Sequence, residues 1–353
     1  MHAARHRGPV ERSHPHPFGL RDFNVTSSRG RVLCTGIAVE DFIFRVDQFP
    51  TPSTKAVVED FVVTGGGCAA NAAIAIARLG GPARFAGPLG DDAMSDRIID
   101  GMARAGVDVD RVTRVIGGVA SLSGIFIDSA GERLLAPRRE QGLRRACTPD
   151  PAALLRDVAV VLADNHFPEF VIPICEAARA RGLRVVLDID RPTEPGDPLL
   201  TLVSHPIFSA EALRSTSGIL ELQPALDRVS DFCRGFVAVT DGSNGAHWRR
   251  GPAVGHRRAF AVNSADTLAV GDVFHGAFAL ALAEGHDEAE SHALCRRGSS
   301  AQMYPFWRKC RCAWSRRGRT AAGRAVIACR NLRNIAVQPG HPPRAGSVKQ
   351  RVG

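Results

Sequence analysis

The chain has 353 residues, 44% of them hydrophobic, enough for one large α/β domain or two smaller ones. No run of about 18 apolar residues occurs and the N-terminus lacks an apolar segment, so neither a membrane-spanning helix nor a secretory signal is expected. The formal charge of +9 is unevenly placed: 14 of the 45 Lys and Arg and none of the 36 acids follow residue 290, so residues 1–290 carry −5 and no basic body is available for nucleic acid.

Residues 1–30 read as a polar, solvated leader, with His2, His6, His14 and His16 scattered rather than spaced for a metal. Arg31 to Gly36 reads as a first buried strand ending in glycine. Asp41 follows closely. A carboxylate there suits two adjacent hydroxyls, or it is a solvated turn residue. Val57, Val58, Phe61 and Val63 alternate as a strand should. Thr64-Gly-Gly-Gly-Cys-Ala-Ala-Asn71 then leads into an Ala-rich helical pattern through Gly80, and its glycines allow a ligand close to the backbone. It is not a dinucleotide loop: the G-x-G-x-x-G spacing is missing, and no acid ends a second strand at the required distance.

Ala83 to Asp92 reads as strand then turn, with a helix through Ile98 and Met102. Ser121 to Ile127 is a strand and Ser129 to Arg133 a hairpin turn, after which Arg138 and Arg139 either meet an acidic group or are simply solvated. From residue 152 onward, strands alternate with helices: Val158–Asp164, a helix from Phe170 to Arg181, Leu183–Asp190, a short Pro206–Ser209, and Phe236–Thr240 before Gly242 and Gly245. This alternation implies a parallel sheet with helices on both faces and ligands at the carboxyl ends of strands. Asp41, Asp188, Asp190, Thr240, Gly242 and Asp272 are all expected at such ends.

Asp266 and Thr267 precede the turn Ala269-Val-Gly-Asp272, and Val273, Phe274, Ala277, Leu280 and Ala281 continue with helical spacing. The unpaired N–H groups of a helix start suit a phosphate. Asp272 beside them either caps the helix or takes a proton from a hydroxyl attacking a γ-phosphate.

Two of these segments, Gly65-Gly-x-x-x-x-Asn71 and Asp266-Thr-x-x-x-Gly-Asp-x-Phe-x-Gly-Ala277, resemble the paired signatures of the PfkB, or ribokinase-like, carbohydrate kinases. The resemblance covers about residues 31–293, and Gly90-Asp91 and Gly106-Val-Asp add to it. It implies an α/β fold, three-layered, with a mainly parallel central sheet and a small β lid formed by strands within about 38–64 and 121–140. It implies ATP and Mg²⁺ as cofactors, a small-molecule sugar as substrate, a cytoplasmic setting and a homodimer through the lid. Nine scattered cysteines without framework spacing agree with a reducing compartment.

Carried over residue by residue, Asp272 would be the catalytic base and Ala269, Val270 and Gly271 the anion hole. Asp41, Gly65, Gly66 and Asn71 would hold the sugar. Thr240, Gly242 and Gly245 would lie along the nucleotide. Where the family has Gly-Ala-Gly-Asp this chain has Ala269-Val-Gly-Asp, so a differently shaped hole is expected. The family's Asn-x-x-Glu metal motif has no clear counterpart, Ser209-Ala-Glu-Ala212 departing from it, so no protein ligand to Mg²⁺ is assigned. Gly65-Gly-Gly-x-Ala-Ala and Asp272-Val-Phe-His275-Gly resemble the sulfofructose-kinase-like branch, which implies a ketose or a derivative. A catalytically impaired sugar- or nucleotide-binding relative is the alternative.

After Ala293 the acids vanish, and Tyr304, Trp307 and Trp314 appear. Shifted by one base, the codons from Ser300 to Lys309 can be read as Ala-Leu-Lys-Cys-Thr-Arg-Phe-Gly-Gly, which resembles the family's own segment. A frameshift near residues 294–300 is therefore expected to have produced a basic, poorly packed tail. The competing reading is a genuine polyanion-binding tail. Cys310-Arg-Cys312 within it is not a zinc spacing.

Overall fold

A computed structural model describes residues 30–148, 150–233, 235–259, 269–288 and 290–291. The leader, the Asn263–Leu268 part of the last motif and the tail from residue 292, with its expected frameshift, lie outside the described residues.

The strands are β1 (Arg31–Thr35), β2 (Val39–Val46), β3 (Val58–Gly66), β4 (Ala83–Ala86), β5 (Pro88–Gly90), β6 (Thr113–Val115) and β7 (Ser121–Ile127). They continue with β8 (Arg133–Arg138), β9 (Val158–Asp164), β10 (Arg184–Ile189), β11 (His205–Ser209), β12 (Phe236–Thr240), β13 (Ala246–Arg250) and β14 (Ala253–Arg257). The helices are α1 (Cys68–Arg78), α2 (Ala93–Arg104), α3 (Pro151–Leu154), α4 (Pro168–Ala180), α5 (Pro198–Leu202), α6 (Ala210–Ser217), α7 (Leu222–Ser230) and α8 (Val270–Ala283).

One eight-stranded sheet runs in the order β14-β13-β12-β11-β10-β9-β1-β4. It is parallel from β12 to β4, and β13 and β14 add an antiparallel hairpin at one edge. The central strands are apolar throughout because both faces are covered. Alternate residues feed different cores: Leu33, Val161 and Leu187 pack with α4 to α7, whereas Val32, Leu162 and Val186 pack with α1, α2 and α8. The architecture is therefore a three-layered α/β sandwich.

A second, four-stranded sheet of order β3-β2-β7-β8 stands apart from the first. Its β2 and β7 are parallel; β3 and β8 pair antiparallel to them. Phe61 and Val63, alternate residues of β3, are 48% and 42% exposed. The Phe61 ring lies beside those of Phe42 and Phe44, at centroid distances of 6.4 and 5.0 Å.

Two expectations change here. Asp41 does not end a strand of the central sheet; it sits inside β2, opposite Thr64 and Ser123. Gly65 and Gly66 are not loop residues but the last two of β3, and only Gly67 makes the turn, at φ 96°. A Cβ on Gly66 would strike the Asp41 carboxylate, so the strand runs close to β2 only because that residue is glycine. The antiparallel β13–β14 edge was not foreseen either, because its residues carry no apolar alternation and those of β14 are mostly exposed.

The close packing of α1 against α8 sets the site. A Cβ on Gly276 would come within 2.7 Å of the Ala72 carbonyl oxygen, so the helices approach at a glycine facing an alanine-rich stripe.

Candidate active site

Asp272 lies in the first turn of α8, and Asn71 in the second turn of α1. The helix contact joins residues far apart in sequence: Asn71 Nδ2 donates to Asp272 Oδ2 at 2.7 Å. Burial raises the Asp272 pKa, and the Asp188 carboxylate raises it further. The Asn71 amide and His275 oppose them, and the result is about 7. A carboxylate poised there is half ionised near neutrality, which suits proton transfer in both directions.

His275, one turn along α8, was not singled out for chemistry by the sequence. It is buried, and its Nδ1 stands 2.9 Å from Asp188 Oδ2. Burial works against a charged ring, but Asp188, then Asp272 and Asp190, outweigh it and raise the His275 pKa. The signal was the i, i+3 spacing from Asp272, which puts both side chains on one face.

Ala269 caps α8 in the left-handed region, φ 61° and ψ 12°, with no side-chain cap. That conformation is where the family's glycine is missing, and it costs an alanine about 1 kcal/mol. The first intrahelical bond runs from the Val273 N–H to the Ala269 carbonyl, so the N–H groups of Val270, Gly271 and Asp272 head the helix. Among the described residues, a Cβ on Gly271 would meet nothing within 4 Å. The turn can thus present N–H groups to an anion.

Asp41 is buried in β2, and burial raises its pKa to about 6 against the Ser123 hydroxyl, which lowers it. A Cβ on Gly65, like one on Gly271, would meet nothing within 4 Å among the described residues. Asp164, at the end of β9, ties this region together. Its Oδ2 accepts from the Ile37 N–H at 2.8 Å and the Ala69 N–H at 3.2 Å, and its Oδ1 from the His166 N–H at 3.0 Å. Gly36 must be glycine because a Cβ would occupy the Asp164 carboxylate. Burial lifts the Asp164 pKa to about 6 despite these bonds.

Thr240, Gly242 and Gly245 lie at the carboxyl end of β12, on the same sheet edge but two strands beyond β10. Among the described residues they make no hydrogen bond to the Asp272 group. Thr240 Oγ1 donates to the Phe208 carbonyl at 3.4 Å. Gly245, at φ 103°, could not carry a Cβ, which would strike the Arg257 carbonyl of β14. A Cβ on Gly242, at φ 50°, would meet nothing within 4 Å among the described residues. Ser209 is an N-cap, its Oγ accepting from the Ala212 N–H at 3.1 Å, so that segment is explained by capping.

A further cluster joins three strand ends to α1. His166 Nε2 and Asp190 Oδ2 are 3.0 Å apart, and Cys68 Sγ lies 3.6 Å from the same carboxylate oxygen. Arg139 Nε donates to His166 Nδ1 at 3.0 Å. That bond uses the Nδ1 lone pair of a neutral ring with its proton on Nε2; burial and the Arg139 charge also oppose the imidazolium, whereas Asp190 and Asp164 favour it and raise the His166 pKa. Burial of the Asp190 carboxyl is outweighed chiefly by His166, and its pKa is lowered. Cys68 is a thiol, its pKa held well up first by burial and then by four surrounding aspartates.

Comparison with known proteins gives this geometry a context. Residues 29–301 match the pfkB family carbohydrate kinase pattern. An ATP-dependent ribose-1-phosphate kinase of Halopiger xanaduensis is 30% identical over 252 residues, 70% of this chain and 83% of that one. A fructokinase of Solanum tuberosum is 26% identical over 283 residues, 75% of this chain and 86% of that one. A solved chain from Agrobacterium tumefaciens, provisionally named a ribokinase, is similar with a TM-score of 0.74 at 32% identity, covering 78% of this chain and 92% of its own.

Proposed function

The chain belongs to the PfkB family of carbohydrate kinases, and on that premise we propose that it moves the γ-phosphoryl group of ATP to a hydroxyl of a ketose or ketose derivative. The observation that carries this reading is Asp272, its pKa raised to about 7, held by the Asn71 amide in the first turn of α8. Ionised Asp272 accepts the proton of the attacking hydroxyl. The N–H groups from Val270 to Asp272 receive the charge of the transferring phosphoryl group. Asp41, Gly65, Gly66 and Asn71 orient the sugar, which lowers the entropy cost of meeting ATP. Thr240, Gly242 and Gly245 hold the nucleotide. The ketose preference rests on the motif likeness at Gly65 to Ala70 and Asp272 to Gly276; fructokinase and ribose-1-phosphate kinase relatives are both compatible with it.

Mg²⁺ fits this site only with most of its ligands drawn from nucleotide phosphates and water. It takes hard oxygen donors in octahedral geometry. Asp188 and Asp190 are each engaged by an imidazole, and both groups of clustered donors among the described residues, Asp188 with Asp272 and Asp190 with His166, are completed by the soft Cys68 thiol. When bound, the ion would neutralise phosphate charge. No described residue need ligate it.

A second copy of the chain is the proposed partner of the lid, whose exposed Phe61 and Val63 form an apolar face. Phe61→Asp should convert a dimer to a monomer in light scattering; an unchanged mass would dismiss the lid interface. Among the described residues no helix is long and apolar enough to cross a membrane.

The test of activity is ADP release with Mg²⁺-ATP across ketoses and aldoses, beside Asp272→Ala. The strained Ala269 favours one second reading, a relative that binds sugar and nucleotide without turnover. Binding by calorimetry with no ADP released would select it.

A further inference from the structure

The cluster beside the start of α1 holds donors that the phosphoryl transfer above does not use. Cys68 opens α1, His166 lies just beyond β9 and Asp190 just beyond β10. His166 Nε2 and Asp190 Oδ2 are 3.0 Å apart, and Cys68 Sγ stands 3.6 Å from that oxygen and 3.8 Å from that nitrogen. A soft thiol, an imidazole and a carboxylate from three elements thus form one triangle. A thiol alone is a weak partner for a carboxylate; a metal cation uses all three donors at once. Around tetrahedral Zn²⁺, with bonds of about 2.0–2.3 Å, an imidazole nitrogen and a carboxylate oxygen stand about 3.4 Å apart, and each stands about 3.6 Å from a thiolate sulfur. The observed edges lie close to these, the largest difference being about 0.4 Å, between His166 and Asp190.

The segments that carry the donors are fixed in advance. Asp164 Oδ1 accepts from the His166 N–H, and its Oδ2 accepts from the N–H of Ala69, the neighbour of Cys68. The Asp190 side chain is 39% exposed, which leaves an ion a way in. Three protein donors leave the fourth position to water. The set favours a thiophilic ion over Mg²⁺, which takes hard oxygens. The other group, Cys68 with Asp188 and Asp272, suits an ion less, because Asp188 lies against His275 and Asp272 accepts from Asn71. An ion on the first group would stand in the way of a sugar. Cys68 precedes Asn71 by three residues on one face of α1, and its Sγ lies within 4.8 Å of an Asp272 carboxylate oxygen. One neighbour opposes the ion. An imidazole bound through Nε2 carries its proton on Nδ1, where Arg139 Nε donates in this structure. Arg139 must therefore swing away, and its charge also repels a cation.

We infer that Cys68, His166 and Asp190 form a binding site for a thiophilic divalent cation of the zinc class, and that the bound ion bars a sugar from Asp272. On binding, the thiol proton passes to solvent as the sulfur–metal bond forms, and the imidazole proton moves from Nε2 to Nδ1. No oxidation or reduction takes place. The binding is independent of the kinase reading above, whereas the barring of the sugar rests on it.

The experiment titrates the full chain with Co²⁺, a coloured substitute for Zn²⁺, in the wild type, Cys68→Ser, Asp190→Asn and Arg139→Ala. The wild type should show a thiolate-to-cobalt absorption band that Zn²⁺ bleaches and Mg²⁺ does not. Cys68→Ser should lose one equivalent of it. Cys147 is exposed and four further cysteines follow residue 291, so a band undiminished in Cys68→Ser belongs to them and overturns the site. Asp190→Asn should weaken the Cys68 equivalent by about tenfold or more, and Arg139→Ala should tighten it by about tenfold. Should Cys68→Ser fail to fold, these opposite shifts decide: affinity unmoved in both variants overturns the site. Turnover of fructose and ribose is then measured in excess Mg²⁺-ATP under buffered Zn²⁺. At about ten times its Kd, Zn²⁺ should raise the sugar KM about tenfold and leave kcat unchanged, with Cys68→Ser resistant. A rise in the KM of ATP instead, or equal inhibition of Cys68→Ser, overturns the barring of the sugar. If the chain phosphorylates no sugar the kinase reading fails by itself, and the cobalt band in the four proteins still upholds or overturns the metal site.

Discussion

Asp272 is held between opposing influences. Burial and Asp188 favour its neutral form, while Asn71 and His275 favour the carboxylate. The base must be ionised to accept a proton, so turnover should rise with pH on a limb centred near 7. Asn71→Ala removes a bond that stabilises the charged form, so the acid limb should move to higher pH. A pH–rate profile over the range from about 5 to 9 checks the sign; a limb that moved down or stayed in place would detach Asn71 from the base. At this scale the sequence was informative where type and spacing both mattered. Asp272 and Asn71 were singled out through their likeness to the paired signatures, since a carboxylate near a helix start is by itself an ordinary cap, and the fold adds that the two side chains meet. His275, His166 and Arg139 were not legible as a set, because their partners come from other strands and only the fold joins them.

At the scale of elements, strands β9, β10 and β12 were readable as short apolar runs bounded by turns, and α1 and α8 as Ala-rich periodic segments. The placement of Asp41 was misread because the chain passes from β1 directly into a strand of the other sheet, a topological step that spacing does not encode. The start of α8 carries its own consequence. Ala269 adopts a left-handed conformation that glycine adopts freely. Ala269→Gly removes strain of about 1 kcal/mol and adds a smaller loss of unfolded-state entropy, so the variant should be stabilised by about 0.5 kcal/mol. Its anion hole should also accept phosphate more readily, visible as a lower KM for ATP. Thermal unfolding beside kinetics measures both; a destabilised Ala269→Gly with an unchanged KM would mean that the turn is already well fitted to alanine.

At the scale of the whole molecule, the matched family segment ends at residue 301, near the point where the acids disappear from the sequence. The two cores are layered on opposite sheet faces, and α1 and α8 supply much of the covering on one of them. A chain whose last segment is out of frame would leave part of that face without its cover. Restoring the frame by a single base near residues 294–300 should therefore yield an acidic helical end and raise the unfolding temperature by several degrees. A corrected frame that encodes no such helix, or one that leaves the transition unmoved, would make the basic tail a native feature. Salt-dependent polyanion binding would then be the property to seek.

The central claim is that Asp272 is the base of a sugar kinase, and the most direct test is ADP release by the wild-type chain and Asp272→Ala under saturating Mg²⁺-ATP and sugar. The account predicts turnover in the wild-type protein, a fall of about a thousandfold or more in kcat for the variant, and sugar affinity within about threefold. Undiminished turnover in Asp272→Ala would contradict it.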